Sequence, residues 1–354
     1  MEFRKVKLKE VCTVNQGLQI PISKRFREKA PNRYFYITIQ FLKGNVEEYY
    51  IENPKESVIC TKEDILVVRT GSTGNVLTNV EGCFHNNFFK VVPNEKIYRK
   101  YLYYTLNNNY MYKKMLNVAS GTTIPDLKHS SFYDLEIFLP PLEVQYKIAT
   151  ILSNIDKKIE LNNQINNNLY KIVSQLYQNL FDYGEWEEIE LKDIANVFSG
   201  KRPKEKLDEG VYPIVGANGI VGFTSDYNLD NDIIITGRVG TLGIVKRHYR
   251  KVWASDNTLI IKTKYNNFVE NYLKTVDYSS LNRGSTQPLL SQSDLKSQKM
   301  LFNKEIVESF ELRVKKKIEK IRNNDEENEV LEKLRDTLLP KLMNGKIDIE
   351  NIRI

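Results

Sequence analysis

The most regular hydrophobic pattern in the chain lies between Pro141 and Phe181, where no glycine occurs and the only proline is the first residue. Apolar and amide side chains recur there at alternating steps of four and three residues, which is the spacing of a coiled-coil seam. The pattern predicts one long helix over residues 141–182, entered through Pro140 and Pro141 because proline is tolerated in a first helical turn. The seam positions that we expect to pair with another helix are Ile148, Leu152, Ile155, Ile159, Asn162, Asn166, Leu169, Val173 and Leu176.

A second pattern of the same kind occupies residues 304–354 and predicts a second helix followed by a short tail. Its apolar residues stop at the polar sequence "NNDEEN" and resume at Val330. Pro340 and Gly345 are predicted to mark the end of the helix. The positions predicted to pair with the first helix are Val314, Ile318, Ile321, Leu334 and Leu338.

Each predicted helix has a polar centre, "NNQINNN" at residues 162–168 and "NNDEEN" at residues 323–328. If the helices pack antiparallel, these two centres lie level with each other. An asparagine on an apolar seam fixes the register of the pair, because a shifted alignment leaves the buried amide without a partner. A hinge or a solvated gap in the middle of each helix is the alternative.

Three short sequences that precede the first helix return, in the same order, between the two helices. "VKLKEVCTV" is matched by "IELKDIANV", "RTGSTGNV" by "ITGRVGTLGIV", and "SGTTIPDL" by "RGSTQPLL". The runs "DILVV" and "DIIIT" before the second pair are rich in β-branched residues and predict strands. The shared order indicates that a whole domain is duplicated. Because the second copy of the last motif lacks the aspartate, a shared turn is favoured over a catalytic role for Asp126.

These patterns predict an α+β protein in which two duplicated mixed α/β domains are separated by two long antiparallel coiled-coil helices. The predicted boundaries are residues 1–140 for the first domain, 141–182 for the first helix, 183–303 for the second domain, and 304–354 for the second helix and its tail. We expect the helices to hold the two domains a fixed distance apart, so that shortening the first helix changes that distance.

The composition is that of a mildly basic protein with a formal net charge of +7. Most of the excess positive charge falls in residues 1–135, which favours a polyanion such as nucleic acid as a partner. The cysteines, Cys12, Cys60 and Cys83, have no metal-binding spacing and are expected to be reduced thiols. The charged first residues and the lack of a long apolar run predict a cytoplasmic protein without a membrane anchor.

The sequence offers little support for catalysis. Its three histidines, His85, His129 and His248, have no second histidine at metal-ligand spacing, and no HExxH or cysteine–histidine cluster occurs. No GxxxxGK[ST] phosphate-binding loop is present, and the glycines of "GRVGTLG" do not follow the dinucleotide-binding pattern. We therefore expect a non-enzymatic chain that binds no metal or cofactor of its own.

Loops that follow the predicted strands carry side chains suited to DNA binding. Glycines allow the backbone to approach a phosphate or a base edge, while arginine, lysine and hydroxyl groups supply donors. Solvated surface loops are the alternative for the basic segments and strand-to-loop turns, where occurrence in both copies favours function. For the polar residues of "SGTTIPDL" and "RGSTQPLL", a simple turn shaped by glycine and proline is an equal alternative. The candidate DNA-binding residues are Lys24, Arg25, Arg27, Arg69, Thr70, Ser72, Thr73, Thr122 and Thr123 in the first domain, and Lys201, Arg202, Asn218, Arg238, Thr241, Arg283, Ser285 and Gln287 in the second.

Essentially the whole chain resembles the specificity subunits of type I restriction–modification systems. The most specific stretch begins "GTTIPDLKHSSFYDLEIFLPPLEVQYKIATIL" at Gly121 and continues to Phe181, and "GANGIVGF" and "LRDTLLPKLMNGKI" add to it. The resemblance implies two target-recognition domains, each reading one half of a split DNA sequence, and two helices that set the spacing. It also implies docking to two modification subunits, which use S-adenosylmethionine, and to restriction subunits, which use ATP and Mg²⁺. Base-contacting residues vary with the target in this family, so the resemblance assigns none of them.

We interpret the chain as a non-catalytic specificity subunit whose partners are double-stranded DNA, methyltransferase subunits and restriction subunits. Lysines and arginines would position the phosphates, and polar loop groups would read base edges. A coiled-coil scaffold or adaptor whose duplicated domains bind proteins is the second interpretation, and its associations would not depend steeply on salt. An enzyme in its own right is the third, which methylation by the isolated chain would support.

Overall fold

The computed structural model describes residues 3–42, 44, 47–121, 124–230 and 232–347. The chain divides into two compact units, the first made of Met1–Ile159 with Glu329–Ile354 and the second of Glu160–Asn328. Each unit therefore contains one of the predicted globular domains together with a part of both predicted helices. The division between units falls within the helices, and not at the ends of the globular domains.

The first unit is built on two sheets and a separate strand pair. In chain order its strands are β1 (Arg4–Lys7), β2 (Cys12–Gln16), β3 (Arg33–Ile37), β4 (Tyr50–Glu52), β5 (Ile59–Cys60), β6 (Ile65–Val68), β7 (Val76–Leu77), β8 (Gly82–Phe84), β9 (Phe88–Pro93) and β10 (Glu136–Leu139). The main sheet has the order β2-β9-β6-β7, the second sheet has the order β4-β3-β8-β5, and β1 pairs with β10. All residues of β6 are buried, as expected for a central strand of apolar β-branched and leucine side chains covered on both faces.

The second unit repeats this plan. Its strands are β11 (Glu187–Glu190), β12 (Ala195–Ser199), β13 (Tyr212–Gly216), β14 (Gly219–Thr224), β15 (Ile233–Gly237), β16 (Val245–His248), β17 (Trp253–Ala254), β18 (Thr258–Thr263) and β19 (Lys299–Phe302). The main sheet has the order β12-β18-β15-β16, the second sheet has the order β14-β13-β17, and β11 pairs with β19. Strand for strand this is the order of the first unit, with β5 as an additional edge strand there. The predicted domain duplication is confirmed.

The helices are α1 (Ile39–Leu42), α2 (Arg99–Leu106), α3 (Asn109–Val118), α4 (His129–Tyr133), α5 (Leu142–Gln178), α6 (Asn266–Leu273), α7 (Gln292–Lys296) and α8 (Lys304–Met343). The two long ones, α5 and α8, are those predicted from the heptad pattern. A 3-10 turn extends α5 to Asp182. Pro340 was predicted to mark the end of α8, but it lies inside the helix. Gly345, which has a left-handed backbone conformation, follows the helix.

In the first unit, α5 and α8 pack into the core of the main sheet. Ile148 and Leu152 on α5 are fully buried, and Leu342 on α8 is buried in the same cluster with Phe89 of β9. The predicted seam therefore faces both the other helix and the sheet. The helices close the core of the domain in addition to pairing with each other.

An ion pair joins the two long helices within the first unit. Nη1 of Arg335 on α8 lies 3.0 Å from Oδ1 of Asp156 on α5. The hydroxyl of Tyr104 on α2 donates to the other carboxylate oxygen of Asp156 at 2.5 Å. This half-buried carboxylate therefore connects three helices of the unit.

In the second unit, the polar centres of α5 and α8 meet through buried asparagines. Nδ2 of Asn162 donates to Oδ1 of Asn328 at 2.9 Å, and Nδ2 of Asn324 donates to Oδ1 of Asn166 at 2.7 Å. The side chains of all four are buried. The helices run antiparallel, and both continue without a break through their polar centres. The predicted register role fits this geometry, and the buried amides contradict the alternative of a solvated gap at the polar centres.

The second half of the α8 seam differs from its prediction. Leu334 is 44% exposed and Val330 is 65% exposed, whereas Leu339 is buried and Arg335 is half-buried. The prediction treated the polar centre as an interruption and restarted the pattern one residue early. In the structure the asparagines themselves belong to the seam, so the heptad frame continues through them. The other predicted seam positions are buried (Ile148, Leu152, Asn162, Asn166, Val173, Val314, Ile318 and Ile321) or half-buried (Ile155, Ile159, Leu169, Leu176 and Leu338).

Asn166→Ala tests whether the asparagine pairs stabilise the helix pair. The substitution leaves the buried Asn324 amide without its acceptor, so we expect the free energy of unfolding to fall by about 1–3 kcal/mol. Denaturant unfolding of the purified chain measures this change. Asn167→Ala is the matched control, because Asn167 is the next residue of α5 and is exposed. Equal stabilities of the two variants would contradict the assignment.

Candidate nucleic-acid interface

The turn after the first strand of each main sheet closes on a glycine that the structure requires. A Cβ atom on Gly17 would lie 2.2 Å from the backbone oxygen of His85, and one on Gly200 would lie 2.1 Å from that of Ser255. Contacts this short exclude any side chain, so glycine is needed for the close approach of two backbone segments. The matching glycines in the sequence therefore mark the same backbone crossing in both units.

Each unit has an arginine at the equivalent position, directly after the buried central strand of its main sheet. The backbone oxygen of Arg69 accepts a hydrogen bond from Leu127 N at 3.0 Å, and that of Arg238 accepts one from Leu290 N at 2.8 Å. Both leucines are fully buried. The motifs "SGTTIPDL" and "RGSTQPLL" therefore end on the same anchor, a buried leucine bonded to the arginine backbone.

A further loop joins this arrangement in each unit. Arg69 N donates to Asn87 O at 2.6 Å, and Arg238 N donates to Asn257 O at 2.8 Å. These asparagines lie just before β9 and β18, so the loops meet at one end of each main sheet. We call them the loop cluster of each unit. It comprises residues 16–19, 69–75, 85–87, 120–121 and 124–127 in the first unit, and residues 199–202, 238–243, 255–257 and 283–290 in the second.

The Arg69 guanidinium is held by a bidentate ion pair. Nε lies 2.6 Å from Oδ1 of Asp126, and Nη2 lies 3.0 Å from Oδ2. The hydrogen bonds from Arg69 hold the pKa of the Asp126 carboxyl below its usual range. Asp126, the aspartate that the second motif lacks, therefore orients an arginine of the loop cluster.

The predicted hydroxyl residues of the first unit have different environments. Thr73 is 5% exposed, and its hydroxyl donates to the backbone oxygen of Pro125 at 2.6 Å. That hydroxyl joins two loops and is buried, so the prediction that Thr73 contacts DNA does not fit its position. Thr70 and Ser72 are half-buried in the same loop. Thr122 and Thr123 lie outside the described residues.

The first loop cluster also contains amide side chains that were not among the predicted DNA-binding residues. Nε2 of Gln16 donates to Asn86 O at 2.6 Å, and Nδ2 of Asn86 lies 3.3 Å from Oε1 of Gln19. Nδ2 of Asn87 donates to Thr70 O at 3.1 Å. Amides of this kind can both donate to and accept from base edges. In the sequence they belong to no motif, so no signal distinguished them from ordinary loop residues.

The basic segment of the first unit is attached to the second sheet. The Arg25 guanidinium donates to Ile20 O at 2.7 Å and stacks over the Tyr36 ring on β3. Arg27 forms an ion pair with Glu47, whereas Lys24 is exposed. Arg25 therefore has a structural role, whereas the charges of Lys24 and Arg27 are both exposed.

In the second unit, further polar side chains gather beside Arg238. Nδ2 of Asn218 lies 3.2 Å from the hydroxyl of Thr241, and Nζ of Lys246 donates to Asn218 O at 2.9 Å. A Cβ atom on Gly240 would lie 3.5 Å from Nε2 of Gln287, which places this amide at the same loop. The structure thus brings Asn218, Thr241 and Gln287 together as predicted candidates. Lys246, on β16, is an addition.

The other predicted residues of the second unit are exposed. Lys201 and Arg202 follow Gly200, and their side chains form no ion pair within the described part of the chain. Arg283 is paired with Asp294 at the start of α7. Ser285 is exposed in the turn between Arg283 and Gln287. Lys201 and Arg202 are therefore exposed cations of this loop cluster without an ion pair in the described part of the chain, whereas the exposed Arg283 is paired with Asp294.

Arg247 neighbours Lys246 in sequence but does not belong to the interface. Its side chain is 5% exposed and forms ion pairs with Asp232 at 2.5 Å and with Glu270 at 3.5 Å. The buried Arg247 joins β16 to α6 through Glu270, and because two carboxylates occupy its guanidinium it offers no free donor pair.

Within the described ranges, no group of three or more histidine, cysteine or acidic side chains is arranged to hold a metal ion. No described helix is long and apolar enough to cross a membrane. The three cysteines are buried and unpaired, and burial raises the pKa of the Cys60 thiol to about 11. They are therefore inert core thiols in this structure.

Comparisons with known proteins agree with the duplicated fold. The family model for the type I restriction modification DNA specificity domain matches residues 1–171 and again residues 183–302. The type I restriction enzyme MjaIX specificity subunit of Methanocaldococcus jannaschii is 25% identical over 380 residues, covering 90% of this chain and 85% of that protein. The type I restriction enzyme HindI specificity subunit of Haemophilus influenzae is 30% identical over 214 residues, covering 52% of this chain and 46% of that protein.

A solved structure shares the fold over nearly the full length. The S subunit of a type I restriction–modification system from M. genitalium superposes with a TM-score of 0.63 at 22% identity, covering 97% of this chain and 96% of that one. The two family matches fall on the two duplicated domains, so each match contains one loop cluster.

Asp126→Asn tests the ion pair that holds Arg69. Because both side chains are partly exposed, we expect the free energy of unfolding to fall by about 0.5–1 kcal/mol at neutral pH. The pKa of Asp126 is lowered in the fold, so this contribution is present above the unfolded carboxyl pKa and is lost as pH falls through the folded value. Denaturant unfolding at several pH values should therefore show wild type and variant converging at acidic pH. A difference that does not depend on pH would contradict this assignment.

Proposed function

The chain belongs to the type I restriction modification DNA specificity family, and from this membership we propose that it is the subunit that reads a bipartite DNA site, one half with each unit. Membership supports a role in DNA sequence specificity. The observation that carries the finer proposal is the loop cluster. It has the same backbone hydrogen bonds around the arginine in both units, which we call the backbone frame, but different side chains. A shared frame with variable side chains is what two readers of different half-sites require.

Two kinds of side chain divide the work at each half-site. Exposed cations such as Lys24, Lys201 and Arg202 reach phosphates, which fixes the position of the protein on the duplex without reading sequence. Amides, hydroxyls and the arginine after the central strand stand closer to the sheet and would approach base edges. The rigid strands beneath them keep these groups in place.

The long helices would dock the other subunits of the complex. Several outward residues of α5 and α8 are apolar, among them Ile165, Ile172 and Leu312, and each is more than 40% exposed. Exposed apolar side chains on regular helices are suited to protein interfaces. We propose that two methyltransferase subunits bind here, and that restriction subunits join the complex through them. S-adenosylmethionine, ATP and Mg²⁺ would then be used by those partners, and this chain would be non-catalytic.

The same helices would set the spacing of the two half-sites. Both are continuous and are paired in one register by buried asparagines, so they resist a change of length or alignment. We propose that this pair fixes the number of unread base pairs between the half-sites.

Removing the charge of Lys201 and Arg202 tests the phosphate contacts. The double variant Lys201→Ala and Arg202→Ala, in complex with its methyltransferase subunits, should bind all DNA sequences more weakly. The slope of log affinity against log salt should flatten by about 2, since each phosphate contact contributes about 0.9. Lys96→Ala with Lys100→Ala is the control, because these exposed lysines follow β9 at the end of the main sheet opposite the loop cluster of the first unit.

Fluorescence anisotropy at several salt concentrations provides the measurement. Wild-type binding that does not depend on salt would contradict DNA recognition and favour the protein-binding adaptor. An unchanged slope in the double variant would remove these two residues from the interface.

Lengthening both helices tests the spacing. A heptad inserted after Glu160 in α5 and another after Val330 in α8 should preserve the seam and add about 10 Å of helix. At about 3.4 Å per base pair, the preferred spacer should lengthen by about three base pairs. Binding to sites with graded spacers measures this. An insertion in α5 alone is the control, which should disrupt the asparagine register, and an unchanged spacer in the double insertion would refute the proposal.

A further inference from the structure

The two loop clusters differ in charge at one position of their shared backbone frame. Asp126 and Leu289 each precede the buried leucine that bonds the backbone oxygen of the cluster arginine. The frame is the same on the other side of the turn, where Ser120 N donates to Asp126 O at 2.9 Å and Arg283 N donates to Leu289 O at 2.9 Å. The two positions are therefore equivalent, but one carries a carboxylate and the other an uncharged side chain.

This difference decides what each cluster arginine can do. In the first unit Asp126 accepts two hydrogen bonds from Arg69, which occupy the edge of the guanidinium formed by Nε and Nη2. In the second unit Leu289 offers no acceptor at the equivalent place. Among the described residues, Arg238 forms no ion pair. Its Nη1 lies 3.5 Å from the backbone oxygen of Asp256, which is a weak contact.

Arg238 is half-buried, and burial of its unpaired donors raises the free energy of the folded protein. Its Nε atom is buried and has no hydrogen-bond partner within the described part of the chain. Unsatisfied donors on a charged group lose more free energy on burial than neutral ones. The packing also restricts the guanidinium, in contrast to the exposed Lys201 and Arg202 of the same cluster. Because Nε is buried, the donors that can reach a ligand are the terminal Nη1 and Nη2 groups, and this restrained, charged fork is suited to one planar acceptor pair.

We propose that Arg238 reads a guanine in the half-site bound by the second unit through its terminal Nη1 and Nη2 groups, whereas in the first unit Asp126 neutralises Arg69 and competes for its donors. This inference rests on the proposed DNA-reading function. Guanine presents O6 and N7 as paired acceptors in the major groove, and two parallel N–H groups of arginine match them. Arg238 is thus a specificity-determining residue, and position 289 decides whether a carboxylate competes for its donors.

The test uses the full-length chain in complex with its methyltransferase subunits. Affinities are measured for the preferred site and for every single base-pair change within it. Arg238→Ala should lose a preference for guanine at one base pair of the second half-site, on the order of 10- to 100-fold, and Arg238→Lys should keep only part of this preference, because lysine can also donate to guanine. Lysine keeps the charge but not the fork, so Arg238→Lys should retain affinity for non-specific DNA and an unchanged salt slope.

Position 289 gives the converse experiment. Leu289→Asp supplies the carboxylate that the second unit lacks, so it should capture Arg238 and lose the same guanine preference. Leu289→Asn places a side chain of nearly the same shape as aspartate at this position but without its charge. This variant should keep the guanine preference. Circular dichroism and co-purification with the methyltransferase subunits identify any variant that fails to fold, and Arg238→Lys provides the test should Leu289→Asp be such a variant.

Three results would overturn the inference while leaving the proposed function intact. They are a second half-site without guanine, an unchanged base preference in the Arg238 variants, or an equal loss of affinity for every sequence, which would indicate a phosphate contact. If the wild-type complex showed no sequence preference at all, the proposed function itself would fail.

Discussion

Helix register is the constraint on which both units depend. Each unit closes its hydrophobic core with one part of α5 and one part of α8, so a shift of either helix would remove seam residues from both cores. Leucine and isoleucine alone do not specify one alignment, because neighbouring heptads are nearly equivalent. The buried pairs Asn162–Asn328 and Asn166–Asn324 remove this ambiguity, since their amides are satisfied in one alignment. The half-buried pair of Asp156 and Arg335 supports the same register within the first unit.

On this framework the fold separates scaffold from recognition. Features that the two units share belong to the backbone: the glycines of the first turn, the arginine after the central strand and the buried leucine bonded to it. Features that differ belong to side chains that point away from this frame, and the change from Asp126 to Leu289 is the clearest of them. Duplication of a frame therefore does not duplicate what it binds. One hydrogen-bonded scaffold can hold two different sets of donors and acceptors.

Much of this arrangement could be predicted from the sequence, for identifiable reasons. The long helices were evident because a heptad pattern without glycine has few other structures, and the duplication was evident because glycine and arginine recur in order. The Arg69–Asp126 pair was not, because residues distant in the chain meet only in the folded sheet. The register of α8 beyond its polar centre was predicted one residue early, because asparagines were read as an interruption of the seam. The loop amides Gln16, Gln19, Asn86 and Asn87 gave no pattern at all.

The measurement that most directly tests the central claim is selection from a random DNA library by the complex of this chain with its methyltransferase subunits, followed by sequencing. If each unit reads its own half-site on a fixed helical spacer, the selected DNA will contain two separate blocks of specified base pairs. The blocks will differ in sequence and will be separated by an unspecified spacer of constant length. One continuous block, two blocks at variable separation, or no enrichment would contradict the account.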